Sequence, residues 1–347
     1  MTTVRLLSHS DLRAWTAHLF KAMGVPPEHA ALVADALVAA NLRGVDSHGV
    51  HLADYYAEHI RRGLMLPSEK GSVVRESGGC LVYDGGRGLG QVAAAACCDH
   101  ALRLAGEHGL GLVVNRNSNH FGAAAYWGQR ISSAGKIGIV MCNASPSVPP
   151  WQGKEGRIGT NPICVSVPSS GRGAWLLDMA TTTVALNKIL RARANQQPQI
   201  PAGWAMDADG APTTETEKAK LIMPLGGYKG SGLGLFAEIF CGVLGGGALA
   251  PEVGGTYRYD RPMGTSHMFL AIDVTRFLPG DEFEQRMEAL VAWIKNTPTA
   301  AGYDEVLVAG EPEERIEAER RQSGIPIDAG TWSRFEALAA EFGVPLP

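Results

Sequence analysis

Little in this chain would suit an oxidising compartment, a membrane or a polyanion. Its six cysteines, Cys80, Cys97, Cys98, Cys142, Cys164 and Cys241, contain no CxxC pair and sit mostly in apolar runs. That spacing excludes a disulfide scaffold or thiolate zinc ribbon and predicts buried free thiols. Glycines or charges interrupt every long apolar run, so no membrane-spanning helix is expected. Met1-Thr2-Thr3-Val4-Arg5 lacks the apolar region of a signal peptide, and the expected home is the cytoplasm. The 31 basic and 35 acidic residues are mixed along the chain, leaving a net charge of −4 and no footprint for nucleic acid. No repeat of solenoid length is evident. What the chain has in excess is glycine, 43 of 347 residues, in clusters suited to tight loops around a small ligand.

The apolar patterning predicts an α/β protein. Helices are expected from Ser10 or Asp11 to Met23, from Pro27 to Leu42 and from Leu52 to Arg62, the second opened by prolines and the third closed by Gly63. Strands are expected at Val73–Arg75, Cys80–Tyr83, Leu110–Asn115, Ile137–Asn143, Ile163–Val167, Trp175–Met179 and Met268–Asp273. Between them lie helical stretches at Leu89–Glu107, Phe121–Ala134, Val184–Ala194 and Leu233–Leu244, and a long loop from Asn195 to Lys220. Helices Phe283–Asn296, Ile316–Gln322 and Trp332–Phe342 close the chain, and helices at both ends suggest that the termini pack into one domain.

Chemistry concentrates in Arg43-Gly44-Val45-Asp46-Ser47-His48-Gly49-Val50-His51, a hinge between two helices. A histidine beside a hydroxyl and a carboxylate can pass a proton either way near neutral pH. The same residues would also serve as a helix stop with His48 satisfied by a carbonyl, and Asp46, His48 and His51 could ligate a metal for hydrolysis. The spacing leaves all three readings open. Gly88-Leu89-Gly90-Gln91-Val92-Ala93 follows a strand and opens a helix as a dinucleotide fingerprint would. The acid that should end the second strand is missing, since Glu107 precedes that strand, so tight packing of a glycine-led helix is the better reading. Asn117-Ser118-Asn119-His120-Phe121-Gly122 joins a strand end to a helix start, where free N–H groups can meet a phosphate or an amide. Lys229, among glycines, is a cation a ligand could approach, and Gly159-Thr160-Asn161-Pro162 offers polar groups at a turn.

Taken in order, RGVDSHGVHLADYY (43–56), NSNHFGAAAY (117–126), GTNP (159–162), DMATT (178–182), PLGGYKGSGLGL (224–235), Gly310 to Pro312 and Gly324-Ile325-Pro326 resemble the malate/L-lactate dehydrogenase family of nicotinamide-dependent oxidoreductases. The resemblance spans nearly the whole chain. It implies a mixed-sheet NAD(P)-binding domain of non-Rossmann type, residues 73–279, and a helical domain formed by both termini, 1–72 and 280–347. It implies His48 as proton donor and acceptor with Ser47 orienting or relaying. His120, Phe121, Gly122, Ala123 and Ala124, with Leu177, Asp178 and Met179, would line the NAD or NADP site, joined by Tyr228, Lys229, Gly310, Glu311 and Pro312. Thr160 is the implied substrate contact, and a homodimer is implied as well. Many members carry arginine four residues after the histidine to bind the substrate carboxylate; this chain has Leu52, and leucine offers no charged fork. Arg43, Lys188 or Lys229 could replace it, or the substrate could be less acidic. The expected activity is hydride transfer between NAD(P) and a small 2-hydroxy or 2-oxo acid. A cyclic-imine reductase of the same family, the metal-dependent hydrolase, and a metabolite-binding protein without turnover are the alternatives.

Overall fold

The computed structural model describes residues 4–169, 175–255 and 258–347. Strand β1 (Arg5–Leu7) leads into α1 (His9–Ala22), whose first turn is capped by Ser8 Oγ accepting from the Asp11 N–H at 3.1 Å. Helix α2 (Pro27–Leu42) starts on a proline whose missing N–H costs nothing at that position, and α3 (Ala53–Arg61) follows two single turns of 3-10 helix. Strands β2 (Ser72–Ser77) and β3 (Cys80–Asp84) form a hairpin, after which α4 (Gly90–His108) crosses to β4 (Leu110–Ser118). Next come α5 (Ala124–Ser132), β5 (Lys136–Cys142), β6 (Ile163–Ser166) and β7 (Leu176–Met179). Helix α6 (Leu186–Ala194) and short strands β8 (Ala205–Met206), β9 (Pro212–Thr213) and β10 (Leu221–Ile222) make a small lobe. The chain ends with α7 (Tyr228–Glu238), β11 (Thr265–Asp273), α8 (Gly280–Lys295), α9 (Glu311–Ser323), β12 (Ile325–Ile327) and α10 (Ala329–Phe342).

Seven strands form a mixed sheet in the order β2-β3-β4-β11-β5-β6-β7. Only β3 and β4 run parallel, as the intervening helix requires; the other pairs are antiparallel. One face of the sheet is covered by α4 and α5, with Cys97, Cys98, Ala101, Leu104, Trp127 and Ile131 packed on Val113, Val140 and Phe269. Gly111 permits this approach, because a Cβ there would lie 2.1 Å from the Ala101 carbonyl oxygen. A second core joins the two ends of the chain: Leu12, Trp15, Leu19 and Phe20 pack with Leu37, Tyr55 and Tyr56 and with Trp332, Phe335 and Leu338. Strand β1 pairs antiparallel with β12 over the same core. Helices α8 and α9 are different, since neither has a buried residue.

Several expected elements are corrected. The stretch 195–220 is no structureless loop: it holds β8, β9 and a 3-10 turn around a small core of Ile189, Ile200, Ala205 and Ile222. The helix expected from Leu233 begins at Tyr228 despite five glycines nearby and runs on through a π turn, Ile239–Val243. The helix expected at Ile316–Gln322 is a longer one, Glu311–Ser323, and the strand expected at Met268 starts at Thr265. Strands β1 and β12 were not expected, because three residues carry no readable alternation. The helix expected from Phe121 starts at Ala124, leaving 119–123 as an irregular entry that turns at Gly122, whose φ is 82°.

Candidate active site

The hinge after α2 is shaped by Gly44, whose φ of 77° turns the chain out of the helix before the 3-10 turn Asp46–His48. A guanidinium from α9 then clamps that turn. Arg320 donates to both carboxylate oxygens of Asp46, at 2.7 and 3.0 Å, and to the Asn41 carbonyl. Asn41 completes the clamp: its amide donates to Asp46 Oδ1 at 2.6 Å and its oxygen accepts the Val50 N–H at 2.9 Å. Gly49 is required between them, since a Cβ would fall 2.2 Å from Asn41 Oδ1. Both flanks of Ser47-His48 are thus tied down.

Ser47 Oγ lies 2.9 Å from His48 Nδ1. His48, His51 and His120 are each only part-buried, and the rings of His48 and His120 stack at 5.6 Å and 26°. Neither Nε2 has a hydrogen-bond partner among the described residues, so the outer edges of the two rings are open. Burial lowers the His48 pKa to about 4, helped by the charge of His51. His120 is pushed well down by burial and then by His48, His267 and His51. Its Nδ1 receives the Gly122 N–H at 3.2 Å and lies 3.0 Å from the Tyr56 hydroxyl, to which the Gln91 amide donates at 2.6 Å. Burial raises the Tyr56 pKa, so its proton stays on.

Three of the expected cofactor segments meet. Ala125 at the start of α5 donates its N–H to Asp178 Oδ2 at 2.8 Å, tying β7 to the segment His120, Phe121, Gly122, Ala123 and Ala124. Leu176, preceding Leu177 and Met179, donates to the Ala309 carbonyl at 3.1 Å, which brings Gly310, Glu311 and Pro312 alongside. Asp178 is exposed, yet desolvation by the groups around it lifts its pKa to about 6 against the Ala125 N–H and Arg43. The Glu311 carboxylate is occupied by Lys295 and by the Val308 N–H at 3.0 Å. Thr160 is linked to the last segment through Thr181: Thr181 N–H bonds the Thr160 carbonyl at 2.9 Å and Leu225 N–H bonds that of Thr181 at 3.0 Å. Tyr228 and Lys229 stand exposed at the head of α7, with no hydrogen bond, ion pair or ring contact to the imidazole pair among the described residues. Leu52 is 4% exposed and belongs to the helical core. Of the cations considered in its place, Arg43 is buried against Glu317 at 3.4 Å, while Lys188 and Lys229 are exposed. Among the described residues no three His, Cys, Asp or Glu side chains converge on a metal position, and Asp46 is already held by Arg320.

Sequence reasoning missed Arg320, Asn41, Gln91 and Tyr56. Arg320 lies in a charged helix where nothing distinguishes it from its neighbours. Gln91 had a signal, since it sits inside the glycine string that failed as a fingerprint.

A sequence profile described as malate/L-lactate dehydrogenase matches residues 7–336. The chain belongs to that family. L-sulfolactate dehydrogenase of Methanocaldococcus jannaschii is 36% identical over 330 residues, 94% of each chain. Malate dehydrogenase of Pyrococcus horikoshii is 35% identical over 332 residues, 93% of this chain and 91% of that one. The solved structure of the M. jannaschii sulfolactate dehydrogenase superposes with a TM-score of 0.93 at 35% identity, covering 98% of both chains. The chain is therefore an oxidoreductase of the 2-hydroxy acid dehydrogenase type, and membership implies a nicotinamide cofactor.

Proposed function

We propose that this dehydrogenase interconverts a small 2-hydroxy acid and its 2-oxo acid with NAD or NADP, using His48 as proton acceptor and donor and Ser47 as the group that orients it. The carrying observation is the 2.9 Å contact of Ser47 Oγ with His48 Nδ1, which leaves Nε2 free to meet a substrate. The cofactor supplies hydride transfer at its nicotinamide ring. With a pKa of about 4, His48 is neutral near pH 7 and ready to take the hydroxyl proton of a 2-hydroxy acid. In the reverse direction the carboxylate of a bound 2-oxo acid favours the imidazolium, which then protonates the oxygen as charge builds there. Small residues at Gly122, Ala123 and Ala124, with open space where a Gly122 Cβ would stand, fit the close approach of a flat ring. The exposed carboxyl of Asp178 suits a ribose hydroxyl. Lys229, exposed and without an acidic partner among the described residues, is a cation available to an anionic group, and Thr160 the neighbouring substrate contact.

The shared core of α1, α2, α3 and α10 supports a helical domain from residues 1–72 and 280–347 beside a sheet domain of 73–279, and the stacking of His48 on His120 supports a site at their junction. Exposed Leu235, Phe236, Ile239 and Val243, together with α8, which has no buried residue, support a homodimer, since a surface helix takes its stability from packing. The balanced composition supports a cytoplasmic enzyme acting on a small molecule. The test is a panel of 2-oxo acids, 2-hydroxy acids and cyclic imines with both cofactors. His48→Ala should abolish turnover while nicotinamide fluorescence still reports binding; turnover retained in a folded His48→Ala protein would overturn the assignment.

A further inference from the structure

The string Gly88-Leu89-Gly90-Gln91 is left without a role once it fails as a dinucleotide fingerprint. The structure places it against the second imidazole. A Cβ on Gly90 would lie 2.3 Å from the carbonyl oxygens of both Asn119 and His120, so the missing side chain lets the first turn of α4 press on that backbone. Asn119 is bound to the same string, donating to the carbonyls of Arg87 at 3.0 Å and Gly88 at 2.8 Å. Gln91 and Tyr56 are both fully buried, and the Gln91 amide donates to the Tyr56 hydroxyl oxygen at 2.6 Å.

The hydrogen-bond directions follow from the donors. A backbone N–H can only donate, so the Gly122 N–H at 3.2 Å makes His120 Nδ1 an acceptor. The neutral ring then carries its proton on Nε2. The Tyr56 hydroxyl, receiving from Gln91, has its own hydrogen free to donate to the same Nδ1 at 3.0 Å, with the His120 carbonyl at 3.4 Å as the weaker alternative. Protonating Nδ1 would set its hydrogen against the Gly122 N–H, which cannot turn away.

We propose that Gln91 and Tyr56 are positioning residues that hold His120 as a neutral imidazole protonated on Nε2, so that a second ring presents a fixed N–H to a carbonyl oxygen bound beside His48. The tautomer stands on the contacts alone; the identity of the oxygen rests on the dehydrogenase reading. Two carbonyls are available to such a site, the carboxamide of the nicotinamide and the 2-oxo group of the substrate. Both need a donor, and neither is served by a ring protonated on Nδ1.

The test is long-range proton–nitrogen NMR of the histidine rings in the full-length protein, with His120 assigned by comparison with His120→Gln. His120 is expected in the Nε2–H form. Tyr56→Phe, which keeps the ring, and Gln91→Met, which keeps the length, should each raise the Nδ1–H population and lower kcat about tenfold. Adding NADH alone should shift the His120 Nε2 resonance if the carboxamide is bound; a shift only after oxamate is added assigns the oxygen to the 2-oxo group. An Nδ1–H ring in the unaltered protein, or an unchanged tautomer in both folded variants, would overturn the proposal. Failure of any nicotinamide to bind would instead count against the dehydrogenase reading and leave the tautomer result standing.

Discussion

Replacing Arg320 with alanine should damage the site from outside it. The arginine side chain is 15% exposed and that of Asp46 49%, so the pair is half-screened and its Coulomb energy alone is worth less than about 1 kcal/mol. The fork geometry at 2.7 and 3.0 Å and the further bond to the Asn41 carbonyl raise the expected loss to about 1–2 kcal/mol. The larger effect is on orientation. Without the guanidinium, the turn Asp46–His48 loses one of its two side-chain clamps and keeps Asn41, and Ser47-His48 gains freedom at the proposed point of proton transfer. A tenfold fall in kcat/KM, about 1.4 kcal/mol, is expected with cofactor affinity nearly unchanged. Urea unfolding, steady-state kinetics and a nicotinamide fluorescence titration measure the three quantities. Arg320→Lys keeps the charge and loses the fork, so it should fall between. Full activity and an unchanged urea midpoint in Arg320→Ala would refute the clamp.

Other outcomes follow from the same contacts. Gly90→Ala forces a methyl group into two backbone carbonyls that cannot rotate away, so it should cost about 3 kcal/mol in urea unfolding; a neutral effect would mean that α4 shifts freely. With the His48 pKa near 4, kcat/KM for oxidation should stay flat above about pH 5.5 and drop about tenfold per unit below the pKa, while kcat/KM for reduction falls as pH rises. A break at the ordinary histidine value would refute that environment. His267, fully buried and stacked on Phe121 at 4.3 Å, has its pKa lowered from 6.5 to about 3 by desolvation. The unfolded chain therefore binds the extra proton, and stability is lost as pH falls from 6.5 toward 3, by about 3 kcal/mol near pH 4.5. His267→Gln should flatten that limb of the stability curve measured by urea midpoints.

Much of this was legible along the chain because it depends on neighbours in sequence. The long helices α1, α2, α4 and α10 announce themselves by caps, prolines and apolar spacing, and Ser47-His48 by proximity to each other and to flanking glycines. The motif series was enough to indicate the family. Elements stabilised by a distant partner were not legible. Strands β1 and β12 exist because they pair with each other across the whole chain, and β8 to β10 because Ile189, Ile200 and Ile222 bury one another.

The same division runs through the site. The sequence by itself determined which groups can move a proton, since the chemistry of an imidazole beside a hydroxyl is local. It also showed, through Leu52, that a charged fork is absent from one position, although only the fold placed that leucine inside the helical core. Tertiary structure alone decided what holds those groups. Arg320 reaches Asp46 from 274 residues away, and Tyr56 reaches His120 across 64. Direction and tautomer belong to pairs of groups brought together by packing, and a linear pattern carries no record of which donor will face which acceptor.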